Sequence, residues 1–214
     1  MIKRILIIGF GMMGKSHLYS FINSKHKYQI SIYDKKNYSK IEISNYFNKV
    51  NFLKKFPKKK KYDCVIIATS SDIRFLLLKK ILKFNKVNKV ILEKFIFPKI
   101  VQYKKFAKFS ENYKDLILKV NTWGDYLYRN LKLPKNIKNN NVKIFVPEGT
   151  LLSNTIHYLD FCFRKIQKIE INLNLKRIIN SKRNSYHEAL GKISINTSQK
   201  QISIQTSKNK NDKM

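Results

Sequence analysis

Acidic side chains are scarce in this sequence, since 13 Asp and Glu residues stand against 45 Lys and Arg residues, for a formal net charge of +32. This charge predicts nonspecific attraction to polyanions, because lysines near phosphates release counterions. The lysines are spread along the chain, however, and the one dense run, "KKFPKKKK" (54–61), is typical of a solvated loop. No helix-turn-helix spacing or aromatic RNP-type strand accompanies them. We therefore expect no specific nucleic-acid partner.

Cysteines and long hydrophobic runs are also few. The two cysteines, Cys64 and Cys162, lie in apolar segments, which predicts reduced core thiols in a cytoplasmic protein. Apolar runs such as "CVIIA" are too short to cross a bilayer, and the N-terminus has no signal-peptide cleavage pattern. No zinc-finger spacing of Cys and His is present, and we expect no metal site. The 43% hydrophobic content indicates a globular protein.

Glycine is rare as well, yet three of the six glycines fall in "ILIIGFGMMGKSH" (5–17). Gly9-x-Gly11-x-x-Gly14 follows a predicted strand and opens a predicted helix, the context that a dinucleotide fingerprint requires. Gly9 permits the tight turn, Gly11 allows the backbone to approach a pyrophosphate, and Gly14 allows close packing of helix and strand. We predict that this loop, including Phe10, Met12 and Met13, binds a dinucleotide at the helix N-terminus. The alternative is a purely structural turn.

The second predicted strand ends in Asp34, which lies 20 residues after Gly14. An acidic side chain at this position binds the ribose hydroxyls. Its carboxylate would repel a 2′-phosphate, whereas Lys35 and Lys36 would attract one. We favour NAD over NADP as the cofactor.

The first half of the chain alternates strand and helix signals. Crossovers of this length predict a doubly wound parallel sheet with helices on both faces, that is, an N-terminal Rossmann domain over residues 1–121. The predicted strands are 3–9, 28–34, 62–69, 89–94 and 115–121. The predicted helices are 12–24, 40–50, 71–84 with Ser71 or Asp72 as its N-cap, and 99–113.

The second half has a different pattern. A polar loop, "PKNIKNNN" (134–141), precedes a predicted strand at 142–146 and a helix at 150–164. Apolar residues then alternate in "KIEINLNLKRI" (168–178), and "KISINT" and "QISIQ" predict a hairpin around "SQK". A helix followed by antiparallel strands predicts a second, smaller and incomplete α+β domain over 122–206, with a disordered basic tail at 207–214. The overall fold class is α/β.

Three further segments resemble the glucose–fructose oxidoreductase / inositol dehydrogenase (Gfo/Idh/MocA) family. They are "DCVIIATSSDIR" (63–74), "VILEKF" (90–95) and "GTLLSNTIHYLDF" (149–161), which are similar to that family's D-x-V-x-I-A-T-P, E-K-P and G-x-x-L-x-D-x-G-x-H-x-x-D motifs. The resemblance spans residues 2–206. It implies a nicotinamide-dependent oxidoreductase of sugars or cyclitols, with a C-terminal sheet that forms the substrate cleft and a homo-oligomer interface.

The resemblance also implies roles for individual residues. Lys94 corresponds to the lysine beside the nicotinamide and the reacting hydroxyl, and His157 to the acid–base histidine. Glu93 and the Thr69–Ser70 turn would line the cofactor site. The chemistry agrees, because alcohol oxidation needs a proton acceptor, and Lys94 ends a predicted parallel strand where such sheets bind ligands. A surface lysine and a packed core histidine are the alternatives.

Candidate substrate contacts are fewer. Asn154 shares a helix face with His157 at i and i+3. Lys182 and Arg183, in "SKRNSYHE" (181–188), would hold an anionic sugar or the phosphate of a nucleotide-sugar, although a solvated loop is the simpler interpretation. His17, His26 and His187 receive no role.

Some positions depart from the family pattern. Phe95 replaces the proline, Ser153 replaces an aspartate, and Arg74 replaces a histidine, while the chain is shorter than members usually are.

An enzyme in surface-polysaccharide or nucleotide-sugar metabolism is the first hypothesis for the function of this chain. A non-catalytic dinucleotide-binding relative is the second, and a polyanion-binding protein the third.

Overall fold

A computed structural model describes residues 2–36, 50–124, 126, 130, 141–162, 169–181, 187–197 and 201–207. Its contacts divide the chain into two compact units, Met1–Asn121 (unit 1) and Thr122–Met214 (unit 2). The helix predicted at 40–50 lies almost wholly outside the described residues, as do the end of the 150–164 helix, Lys182, Arg183 and the tail from 208 onward.

Unit 1 is built on a six-stranded sheet in the order β3-β2-β1-β5-β7-β8, in which every neighbouring pair is parallel. This is the strand order of a doubly wound dinucleotide fold, so the predicted α/β class is confirmed. The strands are β1 (Lys3–Ile8), β2 (Tyr28–Tyr33), β3 (Val50–Leu53), β5 (Cys64–Ile67), β7 (Lys89–Glu93) and β8 (Ile117–Asn121). A small parallel pair joins β4 (Lys61–Tyr62) to β6 (Lys86–Val87).

Helices cover both faces of this sheet. Alternate residues of β1 point to opposite sides, so that Ile5 and Ile7 pack with Leu18 of one helix while Leu6 and Ile8 pack in a separate cluster with two other helices. The helices are α1 (Met12–Ile22) on the first side, and α2 (Ser71–Phe84) and α3 (Ile100–Ser110) on the second. The buried ladder of β1 and β5 therefore forms the middle of a three-layer unit.

Two details of unit 1 differ from the sequence prediction. A short strand that the sequence pattern does not predict, Val50–Leu53, lies at the sheet edge beside β2 and begins at the residue where the predicted helix ends. The lysine-rich run that follows lies in neither helix nor strand from residue 54 to residue 60, as predicted. The N-cap of α2 is Ser70, since Ser71 and Asp72 already lie in the helix. The Ser70 hydroxyl instead hydrogen-bonds the Asp72 side chain, which lowers the pKa of that carboxyl.

Unit 2 is a four-stranded sheet in the order β10-β11-β12-β9, covered on one face by a helix. Its elements are β9 (Val142–Val146), α4 (Leu151–Cys162), β10 (Glu170–Asn180), β11 (His187–Asn196) and β12 (Gln201–Thr206). The predicted hairpin of β11 and β12 is antiparallel, but β9 pairs in parallel with β12, so the sheet is mixed. Leu151 of α4 packs on Val146, Ile193 and Ile202.

Within the part of the chain that the structure describes, none of the helices has the length and apolar character needed to span a bilayer.

Candidate functional site

The glycine loop connects β1 to α1, and the close approaches in it explain two of the three glycines. Gly9 has a φ of +93°, and a Cβ there would lie 2.9 Å from the carbonyl oxygen of Ala68. A Cβ on Gly14 would lie 2.0 Å from the Gly9 oxygen, which no side chain can accept. The turn and the helix–strand packing therefore both require glycine.

Gly11 is different, since a Cβ added there would meet no described atom within 4 Å. It is the N-cap of α1, and no side chain in the described ranges caps that helix. The start of α1 thus has open space beside Gly11, a residue with no side chain to fill it. This is the geometry that a pyrophosphate needs. Met12 is exposed and Met13 half-buried in the same turn.

Asp34 lies at the end of β2 and holds the glycine loop. Its Oδ2 accepts the Phe10 N–H at 2.6 Å, and its Oδ1 accepts the Lys36 N–H at 2.8 Å. Phe10 itself is buried, with its ring edge-on to Phe52. The Phe10 side chain thus belongs to the core, and its N–H is used by Asp34. The ribose-binding role of Asp34 stays a prediction, as a carboxylate has capacity for further hydrogen bonds.

The turn after β5 lies beside the glycine loop, because β5 neighbours β1 with Ile67 opposite Ile8. The Thr69 methyl group would be 3.0 Å from a Cβ on Gly9. Ser70, exposed, then caps α2. The structure therefore brings the Thr69–Ser70 turn and the glycine loop together at the carboxyl edge of the sheet, where doubly wound folds bind ligands.

Glu93 ends β7 and is a buried carboxylate, only 5% exposed. Its Oε1 accepts hydrogen bonds from His17 Nε2 at 2.6 Å and from Asn121 Nδ2 at 2.8 Å. Burial by itself raises the pKa of Glu93. The hydrogen bonds from His17 and Asn121, with the charges of His17 and Arg74, outweigh burial and bring that pKa below its usual value. Glu93 is thus held as a carboxylate.

Arg74, from α2, crosslinks the turn that follows Glu93. Its guanidinium is 2% exposed and donates to the Glu93 carbonyl at 2.5 Å, to the Ile96 carbonyl at 3.2 Å, and to the carbonyls of Phe95 and Thr69. Arginine can serve several acceptors at once through its planar array of donors. Lys94 lies half-buried within this turn, and its peptide bond to Phe95 is cis.

In unit 2, His157 is a packed and hydrogen-bonded side chain, 4% exposed. Its Nδ1 accepts the Trp123 N–H at 3.2 Å, and its ring stacks on the Trp123 indole with centroids 4.6 Å apart. Because Nδ1 is an acceptor, the neutral ring carries its proton on Nε2, which is therefore a hydrogen-bond donor. Asn154, one helical turn earlier, is half-buried.

Two further contacts fix α4 in unit 2. The Thr122 hydroxyl donates to the Asp160 carboxylate at 2.6 Å. Glu188, buried in β11, accepts the N–H groups of Leu152 and Ser153 at 2.8 and 3.0 Å. A carboxylate at a helix N-terminus is stabilising. The described residues contain no group of three or more His, Cys, Asp or Glu side chains placed to hold a metal.

Sequence reasoning missed His17, Asn121 and Glu188. A signal for His17 exists, since it lies three residues after Gly14 and therefore on the face of α1 that packs against the sheet. A signal for Asn121 exists as well, because its strand β8 neighbours β7 and Asn121 is paired in register with Glu93. Nothing in the local sequence marks Glu188, whose partners lie more than thirty positions earlier.

Comparison with protein families gives a match over residues 3–121 to the GFO_IDH_MocA model, described as an oxidoreductase family with an NAD-binding Rossmann fold. The matched segment covers more than half of the chain and ends where unit 1 ends. No curated protein matches the chain.

Solved structures share the fold of the whole chain at low identity. An oxidoreductase from Bacillus cereus superposes with a TM-score of 0.67 at 16% identity, covering 95% of this chain and 64% of its own. A dehydrogenase (MviM) from Clostridium difficile gives 0.61 at 13% identity, covering 97% and 70%. Biliverdin reductase from Synechocystis, solved with biliverdin and NADP⁺, gives 0.57 at 15% identity, covering 96% and 72%.

The chain spans less than two thirds of the length of the Bacillus cereus oxidoreductase. Identities this low establish a shared fold and leave open what each protein acts on.

Proposed function

The chain belongs to the Gfo/Idh/MocA family of NAD-binding oxidoreductases, and from that premise we propose that it transfers a hydride between a nicotinamide dinucleotide and the alcohol or carbonyl group of a sugar or sugar derivative. The observation that supports dinucleotide binding most directly is the glycine loop, with Gly11 in open space at an uncapped start of α1 within the described residues. Surface-polysaccharide or nucleotide-sugar metabolism in the cytoplasm would suit such a reaction.

The residues around the loop fit a dinucleotide. Gly9, Gly11 and Gly14 shape the cradle for the pyrophosphate, and the N–H groups of Met12 and Met13 would donate to its oxygens. Thr69 and Ser70 lie beside the loop, where they would border the cofactor. When bound, the nicotinamide supplies or accepts the hydride. The surrounding residues orient it and keep water away from the reacting carbon.

NAD is favoured over NADP in this proposal. Asp34 lies at the end of β2, and its carboxylate would face the adenosine ribose, where it accepts hydroxyl hydrogens and repels a 2′-phosphate. Lys36 lies close to it, with its N–H on Asp34 Oδ1, and provides the opposing charge. Titration with NADH and NADPH decides between them, and tighter NADPH binding would contradict the assignment. If the assignment to NAD is correct, Asp34→Ala should improve NADPH binding, because it removes the carboxylate that repels the 2′-phosphate.

Lys94 is the proposed proton-transfer residue. It lies at the carboxyl edge of the parallel sheet, half-buried, in a turn fixed by Arg74. As a neutral amine it would accept the hydroxyl proton during oxidation, and as an ammonium it would polarise the carbonyl during reduction. His157 is proposed as the second catalytic residue: because Nδ1 accepts the Trp123 N–H, its Nε2–H would donate a hydrogen bond to the reacting oxygen of the substrate. Asn154, Lys182 and Arg183 are proposed substrate contacts.

The experiment is an NADH fluorescence titration followed by a turnover screen with sugar alcohols and carbonyl compounds. Lys94→Ala and His157→Ala should abolish turnover and retain NADH binding. Lys104→Ala, an exposed lysine on α3, is the matched control and should change neither. NADH binding without turnover on any substrate would favour the non-catalytic dinucleotide-binding relative, which the packed position of His157 and the presence of Ser153 also favour. Failure to bind NADH would contradict the proposal.

Unit 2 also supports a proposal about assembly. In the described strands β10 pairs with β11 alone, so its outer edge presents unpaired backbone groups. Four apolar side chains on it, Ile171, Leu173, Leu175 and Ile178, are 37–66% exposed. An edge strand of this kind readily pairs with another chain. We propose a second copy as the partner, with the two β10 strands antiparallel about a two-fold axis, an arrangement in which the same patch serves both subunits.

A further inference from the structure

Glu93 is a buried charge in unit 1 that the glycine loop does not use. Its carboxylate receives donors from two elements, His17 of α1 and Asn121 of β8, both on Oε1. Removing a carboxylate from water is unfavourable until its partners compensate, and an apolar side chain of similar size would fill the same space without that penalty. A buried carboxylate with two dedicated donors therefore needs an explanation beyond packing.

The next residue supplies that explanation. Lys94 follows Glu93 directly, at the carboxyl edge of the sheet. Arg74 of α2 donates to the carbonyls of Glu93 and Phe95, which flank Lys94 on its two sides. The backbone on both sides of Lys94 is thus held from α2, while the side chain before it is held from α1 and β8. Three elements converge on a single turn.

We propose that His17 is a positioning residue for Lys94, acting through its hydrogen bond to Glu93. On this assignment Glu93 supports the turn and is not a ligand of the cofactor. The inference rests on the proposed function for the role of Lys94 itself. Without His17, the Glu93 carboxylate keeps Asn121 as a donor but loses its link to α1, so the turn that carries Lys94 gains freedom.

The position of His17 makes this link useful. His17 lies in the second turn of α1, the helix whose N-terminus forms the glycine loop. A single hydrogen bond at 2.6 Å therefore connects the helix that would bind the dinucleotide to the strand end that presents Lys94. Reacting groups must be held within a few tenths of an ångström for efficient transfer. On this proposal the His17–Glu93 hydrogen bond holds Lys94 at a fixed distance from the glycine loop within unit 1.

The test measures the reactivity of Lys94 in the full-length protein and needs no substrate. Lysines are acetylated with a water-soluble N-hydroxysuccinimide ester at about pH 8, below the usual lysine pKa, and the rate at each site is read by peptide mass spectrometry. Loss of one hydrogen bond should accelerate Lys94 acetylation in His17→Ala by about three- to tenfold, in the range of the net contribution of a typical hydrogen bond. The rate at Lys104, exposed on α3, serves as the internal reference and should stay constant.

Two further variants separate positioning from general destabilisation. His17→Gln keeps a side-chain N–H donor and should restore the Lys94 rate to within about twofold of wild type. Asn121→Ala removes the other donor to Glu93 and should accelerate Lys94 in the same direction. His26→Ala, at an exposed histidine, is the matched control and should leave the rate unchanged.

Several results of these measurements would overturn the proposed role of His17. An unchanged Lys94 rate in folded His17→Ala overturns the proposal, and so does a His17→Gln variant that reacts like His17→Ala. If His17→Ala does not fold, an unchanged rate in Asn121→Ala overturns it. With a turnover assay available, His17→Ala should lower kcat and leave KM for the dinucleotide unaltered. NADH binding by the wild-type chain is measured separately, so that failure of the proposed function is distinguishable from failure of this inference.

Discussion

The two units differ in how completely helices cover their sheets. In unit 1, helices lie on both faces of the sheet, and β1 and β5 are almost completely buried along the residues that pair. In unit 2, one helix covers one face, and β10 is exposed over nearly its whole length. Leu173 is 60% exposed, while Ile193, directly opposite it on β11, is 4% exposed. Unit 1 therefore completes its own core, whereas unit 2 leaves apolar side chains of β10 exposed.

The buried charges follow the same division. Arg74 and Glu93 in unit 1 gather at the carboxyl edge of the sheet and support the turn that carries Lys94. Glu188 in unit 2 caps a helix and supports the fold. Among the residues that the structure describes, the buried Arg74 and Glu93 thus lie at the proposed site, whereas the buried Glu188 holds secondary structure together.

The largest effect should come from Gly14 in unit 1. Gly14→Ala places a methyl group against the Gly9 carbonyl and should destabilise unit 1 by about 3 kcal/mol or more, measured by urea unfolding. Gly11→Ala is the matched control, because its methyl group would meet no described atom within 4 Å. It should fold normally and weaken NADH binding. Equal stability of the two variants would contradict the packing described for the loop.

In unit 2, Glu188→Ala should cost about 2 kcal/mol, because it leaves the first N–H groups of α4 without their acceptor. Trp123 is the only tryptophan in the sequence and lies in unit 2, so its emission during urea unfolding follows this unit alone. Glu148→Ala, at an exposed position, should have little effect. If Glu188→Ala left the urea unfolding curve of Trp123 emission unchanged, the role assigned to Glu188 in unit 2 would be wrong.

Glu93 should make the stability of unit 1 depend on pH. Its pKa is lowered in the folded state, so the stabilisation is present above the unfolded pKa of about 4.3 and is lost as pH falls through the lower, folded value. Glu93→Gln should therefore be less stable than wild type near neutrality, with the difference shrinking below about pH 4. Melting curves across this range check the sign, and a difference that grows on acidification would refute it.

The smallest effect on stability should come from β10. Leu173→Lys should change the free energy of unfolding by no more than about 0.5 kcal/mol, because the side chain is already exposed, yet it should convert the proposed dimer into a monomer. Ile193→Lys, directly across the strand pair, should unfold unit 2. Sedimentation velocity and Trp123 emission report the two results. A wild-type chain that sediments as a monomer would rule out pairing through this strand.

The sequence was a good guide wherever the determinant is local. Apolar runs located β1, β5 and β7, and the glycine spacing located the turn that Gly9 and Gly14 require. Burial raises the pKa of the Cys64 thiol to about 11, in line with the core thiol expected there, and neither cysteine forms a disulfide with another described residue. These features depend on a residue and its near neighbours, so pattern and periodicity are sufficient to find them.

The remaining features depend on contacts between distant segments. His17 and Glu93 are 76 positions apart, and their meeting follows from how α1 packs on the sheet. Arg74 was considered a departure from the family motif, yet its bonds to the Glu93 and Phe95 carbonyls give it a structural task. The sequence does not predict the mixed sheet of unit 2, because nothing in "VKIFV" indicates that this strand pairs with β12, or that the pairing is parallel.

The open edge of β10 also has a consequence for handling the protein in solution. Two copies that carry +32 each repel one another, and dissolved ions shorten the range of that repulsion to about 8 Å at physiological ionic strength. Raising the ionic strength should therefore promote association through β10, whereas it weakens any attachment to a polyanion. Opposite responses to added salt tell the two kinds of complex apart.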